Sequence, residues 1–145
     1  MTIIDIKPRA VIKRPFAHVA NECFIDPPVY AELRDSFPVC PANPGPTGFT
    51  LFWGDEEYQR LLDSQPAWKA LFDAFHSQEF VDWGVQQFAG VWKKEGCLID
   101  LSKARYVHYL EDRIDKEQDH LRQVEHAPDE LWVRMDILQG HAGYE

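Results

Sequence analysis

The six histidines are the residues of this sequence best suited to metal binding or acid–base chemistry. They are His18, His76, His108, His120, His126 and His141. None is followed two places on by an acid, and no His-Glu-x-x-His occurs, so neither the His-x-Asp/Glu pair of a non-haem iron oxygenase nor a zincin helix is present. Strand alternation places His108 with Tyr106 and Leu110 on one face. We interpret His108 as a hydrogen-bonded structural histidine, with a ligand role as the alternative.

A cluster of carboxylates is the second candidate for cation binding. Residues 111–130 contain eight acids and three bases, and the cluster consists of Glu111, Asp112, Asp115, Glu117 and Asp119. It lacks the alternating ligand positions and the turn glycine of a calcium loop. We therefore interpret it as a solvated charged face.

Candidates for nucleophilic chemistry are few. The sequence has no Gly-x-Ser-x-Gly and no Gly-rich phosphate loop. Its three cysteines, Cys23, Cys40 and Cys97, are widely spaced and form no Cys-x-x-Cys pair, which predicts buried free thiols rather than disulfides or a zinc site.

Composition limits the class of protein that can carry these residues. The 145 residues are 45% hydrophobic, which predicts one folded domain over 1–145. A net charge of −9 argues against nucleic-acid binding. No apolar run approaches the roughly 18 residues of a membrane helix, and the first residues do not resemble a signal peptide. We therefore expect no membrane partner and a cytoplasmic location.

Four helices are predicted to position these residues. The first helix runs from Asp26–Pro27 to before Pro38, with Val29, Tyr30 and Leu33 facing the core. The other three lie over 55–63, from Pro66 onward and over 78–94. Ser77 is placed to cap the last helix and Gly96 to end it. Val81, Val85, Phe88 and Trp92 form an apolar stripe on this helix, with Trp83 beside it. We expect Trp83, Phe88 and Trp92 to be buried against a sheet.

The remaining patterns indicate strands and a loop. Strands are predicted within 10–19, over 105–110 and over 131–138, and a Pro- and Gly-rich loop over 40–48. Residues 49–53 are predicted to form a short aromatic strand or an extended segment. The last strand would carry Leu131, Val133, Met135 and Ile137 on one face. Because helices come first and strands accumulate later, we predict an α+β fold with helices packed on an antiparallel sheet.

Two stretches resemble the front part of a 2-oxoglutarate- and Fe(II)-dependent oxygenase of the prolyl-hydroxylase-like group. Residues 15–38 are similar to the family's opening strand and a following helix that ends in Phe37-Pro38. Residues 131–138, followed by Gln139-Gly140-His141-Ala142-Gly143-Tyr144, resemble the approach to the family's iron motif, where a Gly- and Tyr-containing turn precedes His-x-Asp.

The resemblance implies that residues 1–145 are the N-terminal portion of a double-stranded β-helix, or jelly-roll, oxygenase. A complete member would bind Fe(II) and 2-oxoglutarate and hydroxylate an unactivated C–H bond. The His-x-Asp pair, the distal histidine and the 2-oxoglutarate-binding arginine are missing from residues 1–145, so no catalytic residue, metal ligand or cofactor is assigned to them alone. Tyr144, Arg105 and Arg134 are candidates for lining the cosubstrate pocket, from their strand positions.

Two questions about partners stay open at this stage. If strand 131–138 belongs to a larger sheet, its free edge would be covered by a second chain or a second copy; otherwise the strand pairs within the 145 residues. The alternative function is a non-catalytic, acidic protein-binding or scaffold domain, whose acidic stretch 111–130 would attract a basic partner.

Overall fold

The computed structural model describes residues 3–39, 48–109 and 127–140, and has the predicted α+β composition. Its elements in chain order are α1 (Pro27–Asp35), β1 (Phe49–Leu51), α2 (Glu56–Ser64), α3 (Pro66–Phe75), α4 (Gln78–Lys94), β2 (Arg105–His108), β3 (Glu130–Val133) and β4 (Ile137–Gln139). The predicted loop over 40–48, except Gly48, and most of the charged stretch lie outside the described residues.

The ends of α4 follow the sequence signals closely. The Ser77 hydroxyl accepts a hydrogen bond from the backbone N–H of Phe80 at 3.2 Å, which satisfies one of the free donors of the first turn. Gly96 has a φ of +82°, so it ends the helix in the left-handed region as predicted.

Asp26 occupies the N-cap position of α1 without a side-chain cap hydrogen bond, and Pro27 fills the first turn.

The prediction of one continuous strand over 131–138 is wrong. The structure has two short strands, β3 and β4, with Arg134, Met135 and Asp136 between them. The backbone carbonyl of Met135 accepts a hydrogen bond from the Tyr58 hydroxyl at 2.7 Å instead of one from a neighbouring strand. Arg134 and Asp136, on either side of Met135, form an ion pair with each other.

The prediction of a single antiparallel sheet is also wrong. β2 and β3 pair in parallel, with Arg105 opposite Glu130, whereas β1 and β4 pair antiparallel, with Leu51 opposite Ile137. Parallel strands need a crossover of about a dozen residues or more. Residues 109–129, which connect β2 to β3, supply that length.

The core lies around α2, α3 and the β1–β4 pair rather than under α4. Its buried residues include Tyr58, Leu62, Trp68, Leu71 and Phe72 from the helices, Leu51 and Ile137 from the strands, and Ile4 and Leu33. Of the expected core face of α1, Leu33 is buried but Tyr30 is 56% exposed.

The predicted burial of Trp83, Phe88 and Trp92 is wrong, because all three are only half-buried. Helix α4 contacts both α3 and β2, but its one buried residue is Val81. Trp83 packs between Phe24 and Phe80 and so covers the N-terminal segment instead of the sheet.

The N-terminal segment is largely irregular. The strands predicted within 10–19 reduce to one bridge between Ile12 and His18, and a second bridge joins Ile4 to Ile25. Cys23 is exposed, contrary to the prediction of buried thiols, Cys97 is partly buried, and Cys40 lies outside the described residues. No helix in the described ranges is long and apolar enough to cross a membrane.

Candidate functional site

Two histidines meet where the end of α3 approaches β2. His76 is the C-cap residue of α3, and His108 is the last residue of β2. Their ring centroids are 4.5 Å apart at an interplanar angle of 69°. Tyr106 also contacts His76, with centroids 6.0 Å apart, so Tyr106 and His108 point to the same side of β2 as strand alternation predicts.

Aromatic rings enclose this pair. Phe72 stacks on His76 with centroids 3.9 Å apart, and Trp53 meets His108 edge-on at 4.7 Å. We call the five residues Trp53, Phe72, His76, Tyr106 and His108 the histidine–aromatic cluster. The cluster joins α3, the segment after β1, and β2, because each of these elements contributes at least one ring.

The hydrogen bonding of His76 fixes its tautomer. Its Nδ1 lies 2.9 Å from the carbonyl oxygen of Phe72. A carbonyl only accepts, so Nδ1 carries the hydrogen and Nε2 carries the lone pair in the neutral ring. The Nε2 atoms of both His76 and His108 are buried without a hydrogen-bond partner among the described atoms. A buried polar atom without a partner costs about 1–3 kcal/mol, so this pair is an unusual feature of the interior.

Burial sets the protonation state of both histidines. Desolvation lowers the pKa of His76 most strongly, and the nearby His108 lowers it further; the hydrogen bond to Phe72 and the charge of Asp73 oppose this shift. Desolvation also lowers the pKa of His108. Because the ordinary pKa of histidine is about 6.5, both rings are neutral at pH 7.

A second polar group lies between β3 and β4. The Asp136 Oδ2 accepts hydrogen bonds from Arg134, at 2.8 Å from Nε and 2.7 Å from the terminal nitrogen. The Asp136 Oδ1 is buried and has no partner in the described ranges. Burial raises the pKa of the Tyr58 hydroxyl, and the negative charge of Asp136 raises it further, so Tyr58 is a hydrogen-bond donor at all physiological pH values.

Two of the three residues suggested for a cosubstrate pocket, Arg105 and Arg134, lie in the described part of the chain. Arg134 lies over the rings of Phe52 and Tyr109, at 5.4 and 5.0 Å from their centroids. Arg105 pairs with Asp129 at 3.2 Å and with the buried Glu130 at 2.7 Å, at the start of the β2–β3 ladder. Tyr144 lies outside the described residues. Both arginines are therefore bound to carboxylates of the chain itself.

The described residues do not fit the Fe(II) site of the oxygenase family. That site takes two histidines and one carboxylate on one face. His76 and His108 form a pair, but no group of three or more His, Cys, Asp or Glu side chains that could hold a metal ion occurs within residues 3–39, 48–109 and 127–140. The carboxylate cluster from Glu111 to Asp119 lies outside those ranges. No step through iron is therefore derived from the described residues.

The comparisons with known proteins identify no relative. No protein-family model, no curated protein and no solved structure matches the chain.

Sequence reasoning singled out His108 but missed its partner. His76 follows Phe72 by four residues at the end of a predicted helix, so the two side chains share one helix face. That spacing places His76 beside Phe72, a core aromatic residue, at the end of the helix. The pairing of α3 with β2 is a tertiary contact, and no local pattern indicates it.

Proposed function

We propose that this chain is the N-terminal portion of a 2-oxoglutarate- and Fe(II)-dependent oxygenase that hydroxylates an unactivated C–H bond. The observation that supports this proposal most is an open sheet. In the described part of the chain β1 and β4 pair only with each other. An isolated two-stranded pair is marginally stable, so further strands at its edges would complete it.

The position of β4 agrees with this proposal. Strand β4 ends at Gln139 and leads into Gly140, the start of the Gly- and Tyr-containing turn on which the resemblance depends. At the other end of the chain, α1 ends at Asp35, just before Phe37-Pro38. Helices α2 and α3 pack with β1 and β4 in one core, as helices that support a larger sheet would do.

On this proposal the metal site is completed by residues that follow Glu145. In the complete protein O₂ would be the oxidant and 2-oxoglutarate, converted to succinate and CO₂, the co-reductant; the metal would supply activation of O₂. Tyr144, Arg105 and Arg134 stay candidates for lining the cosubstrate pocket of the complete protein. Arg134 binds Asp136 and lies over the rings of Phe52 and Tyr109. The same proposal includes a cytoplasmic location. It also includes a second chain or a second copy of this chain that covers the free strand edge.

The reading frame downstream of codon 145 gives the first test. The proposal expects the frame to continue and to encode His-x-Asp shortly after Tyr144. It further expects the protein translated from the complete frame to convert 2-oxoglutarate to succinate when Fe(II) and O₂ are present, and its His→Ala variant at that motif to lose this activity.

A frame that stops at once, or a complete protein without such turnover, overturns the proposal. A non-catalytic, protein-binding role would then be the remaining reading of the chain. Its proposed acidic surface would have to come from residues outside the described ranges, because Asp129 and Glu130 are already paired with Arg105.

A further inference from the structure

We propose that His76 and His108 form an acid-sensitive latch that holds the β2–β3 pair against α3. This inference goes beyond the proposed oxygenase function and does not depend on it. It rests on the geometry of the histidine–aromatic cluster: two imidazole rings 4.5 Å apart, each with a buried and unpartnered Nε2.

Two kinds of contact attach β2 to the helices, and they differ in their response to acid. The Gln78 side chain at the start of α4 binds the backbone of β2: its Oε1 accepts from the Tyr106 N–H at 2.8 Å, and its Nε2 donates to the Ala104 carbonyl at 2.9 Å. An amide does not titrate, so this attachment is independent of pH. The contact of His108 with His76 and Phe72 is the second attachment, and both of its histidines titrate.

Protonation works against the second attachment. His76 already uses Nδ1–H for the Phe72 carbonyl, so an added proton must go to the buried Nε2, where no acceptor lies within the described ranges. A second proton on His108 would place a like charge on a ring 4.5 Å away. Opening the cluster to water relieves both costs.

The groups around the pair do not compensate for these charges. Asp73 on α3 favours protonation of His76, but its side chain is 57% exposed and already binds Lys69. Tyr106 on β2 and Tyr58 on α2 are neutral, and Asp136 is paired with Arg134. Desolvation is the largest of the effects on the pKa of His76, and it favours the neutral ring.

The consequence is local release at acidic pH. The β2–β3 pair would separate from α3 while the Gln78 hydrogen bonds and the core of α2, α3, β1 and β4 remain. Strand β2 would then move about its attachment to α4, and the side of β2 that carries Tyr106 and His108 would become accessible to solvent.

The test is residue-resolved NMR of the whole chain in the presence of a chelator, between about pH 7 and about pH 5. The imidazole signals give the pKa of each histidine, and nuclear Overhauser contacts between the rings of Tyr106 and residue 76 report whether β2 stays against α3. We expect His76 and His108 to titrate below the ordinary histidine pKa of about 6.5, and the contact between Tyr106 and His76 to be lost as the pH falls while hydrogen-exchange protection of the α3 amides stays constant.

Variants separate the latch from general acid effects. His76→Phe/His108→Phe removes both titrating groups and keeps rings in the cluster, so the pH dependence of the contact between Tyr106 and residue 76 should disappear. His18→Phe is the matched control, because His18 makes the same kind of Nδ1–H bond to a carbonyl, that of Phe16, at an exposed site. An undiminished pH dependence in the double variant overturns the proposal. So does a wild-type protein in which the contact between Tyr106 and His76 is unchanged between about pH 7 and about pH 5, and this second result requires no variant to fold.

Discussion

The Tyr58 hydroxyl donates a hydrogen bond of 2.7 Å to the backbone carbonyl of Met135, between β3 and β4. Tyr58 is 0% exposed, so α2 places a buried hydroxyl at the residues that separate β3 from β4. A strand carbonyl without a ladder partner needs another donor, and the tyrosine supplies it. This contact joins α2 to the residues that connect β3 with β4.

Removal of that hydroxyl tests its contribution. Tyr58→Phe keeps the ring and leaves the Met135 carbonyl buried without its donor, so we expect the free energy of unfolding to fall by about 1–3 kcal/mol. Urea denaturation measures the change. Tyr30→Phe, at a site that is 56% exposed, is the control and should change stability little. Equal effects of the two substitutions would show that the Met135 contact does not stabilise the fold.

The location of the core predicts different costs for two tryptophans. Trp68 is 5% exposed and its indole N–H donates to the Ser36 hydroxyl at 3.0 Å, whereas Trp92 is half-buried and stacks on Phe88. Trp68→Ala should destabilise the protein by about 3–5 kcal/mol, and Trp92→Ala by clearly less. Thermal unfolding of both variants gives the comparison. A larger loss of stability for Trp92→Ala than for Trp68→Ala would mean that the core lies under α4.

The close approach of Gly48 to β4 predicts a strong effect of an added methyl group. Gly48 has a φ of +97°, and a Cβ there would lie 2.3 Å from the Gln139 carbonyl oxygen. Gly48→Ala should therefore cost more than the roughly 1–2 kcal/mol of a left-handed residue alone. Gly96→Ala has a similar φ and open space, so it isolates the backbone contribution. Equal losses of stability in the two variants, measured by urea denaturation, would contradict the contact between Gly48 and β4.

Stability should decrease as the pH falls below about 6.5. The unfolded chain takes up protons on His76 and His108 near this ordinary pKa, whereas burial lowers the pKa of both in the folded state. Between the unfolded and folded pKa values the unfolded state binds more protons, so the free energy of unfolding declines with decreasing pH. Urea denaturation at several pH values should show a weaker decline for His108→Phe than for His18→Phe. Identical slopes would mean that His108 stays close to its ordinary pKa.

Local sequence signals were sufficient for the helices. Ser77 at the start of α4, Gly96 after its end and Pro27 and Pro66 at helix starts each act through neighbouring backbone groups, and all four positions match the structure. The strand partners were not predictable in this way. Alternation assigns residues to a face but does not say which strand pairs with which, so the parallel β2–β3 pair was missed.

The candidate site shows the same limit. His108 and Tyr106 share a face of β2 as alternation requires, but their contact with His76 depends on how α3 packs against β2. The aromatic spacing of α4 correctly predicts a helix, but the predicted burial of its aromatic residues against a sheet is wrong. Trp83 instead contacts Phe24 and the Lys7 carbonyl of the N-terminal segment and stays half-buried. Helical spacing reports one apolar face and not the element that will cover it.

Binding of a redox-inert metal and of 2-oxoglutarate tests the central claim most directly, because it needs no knowledge of the substrate. Calorimetry with Mn(II) as the probe compares the protein translated from the complete reading frame with residues 1–145 alone. The oxygenase proposal predicts that the complete protein binds one Mn(II), that it binds 2-oxoglutarate only when Mn(II) is present, and that residues 1–145 bind neither tightly. A complete protein that binds neither ligand, or stoichiometric binding of both by residues 1–145, would contradict it.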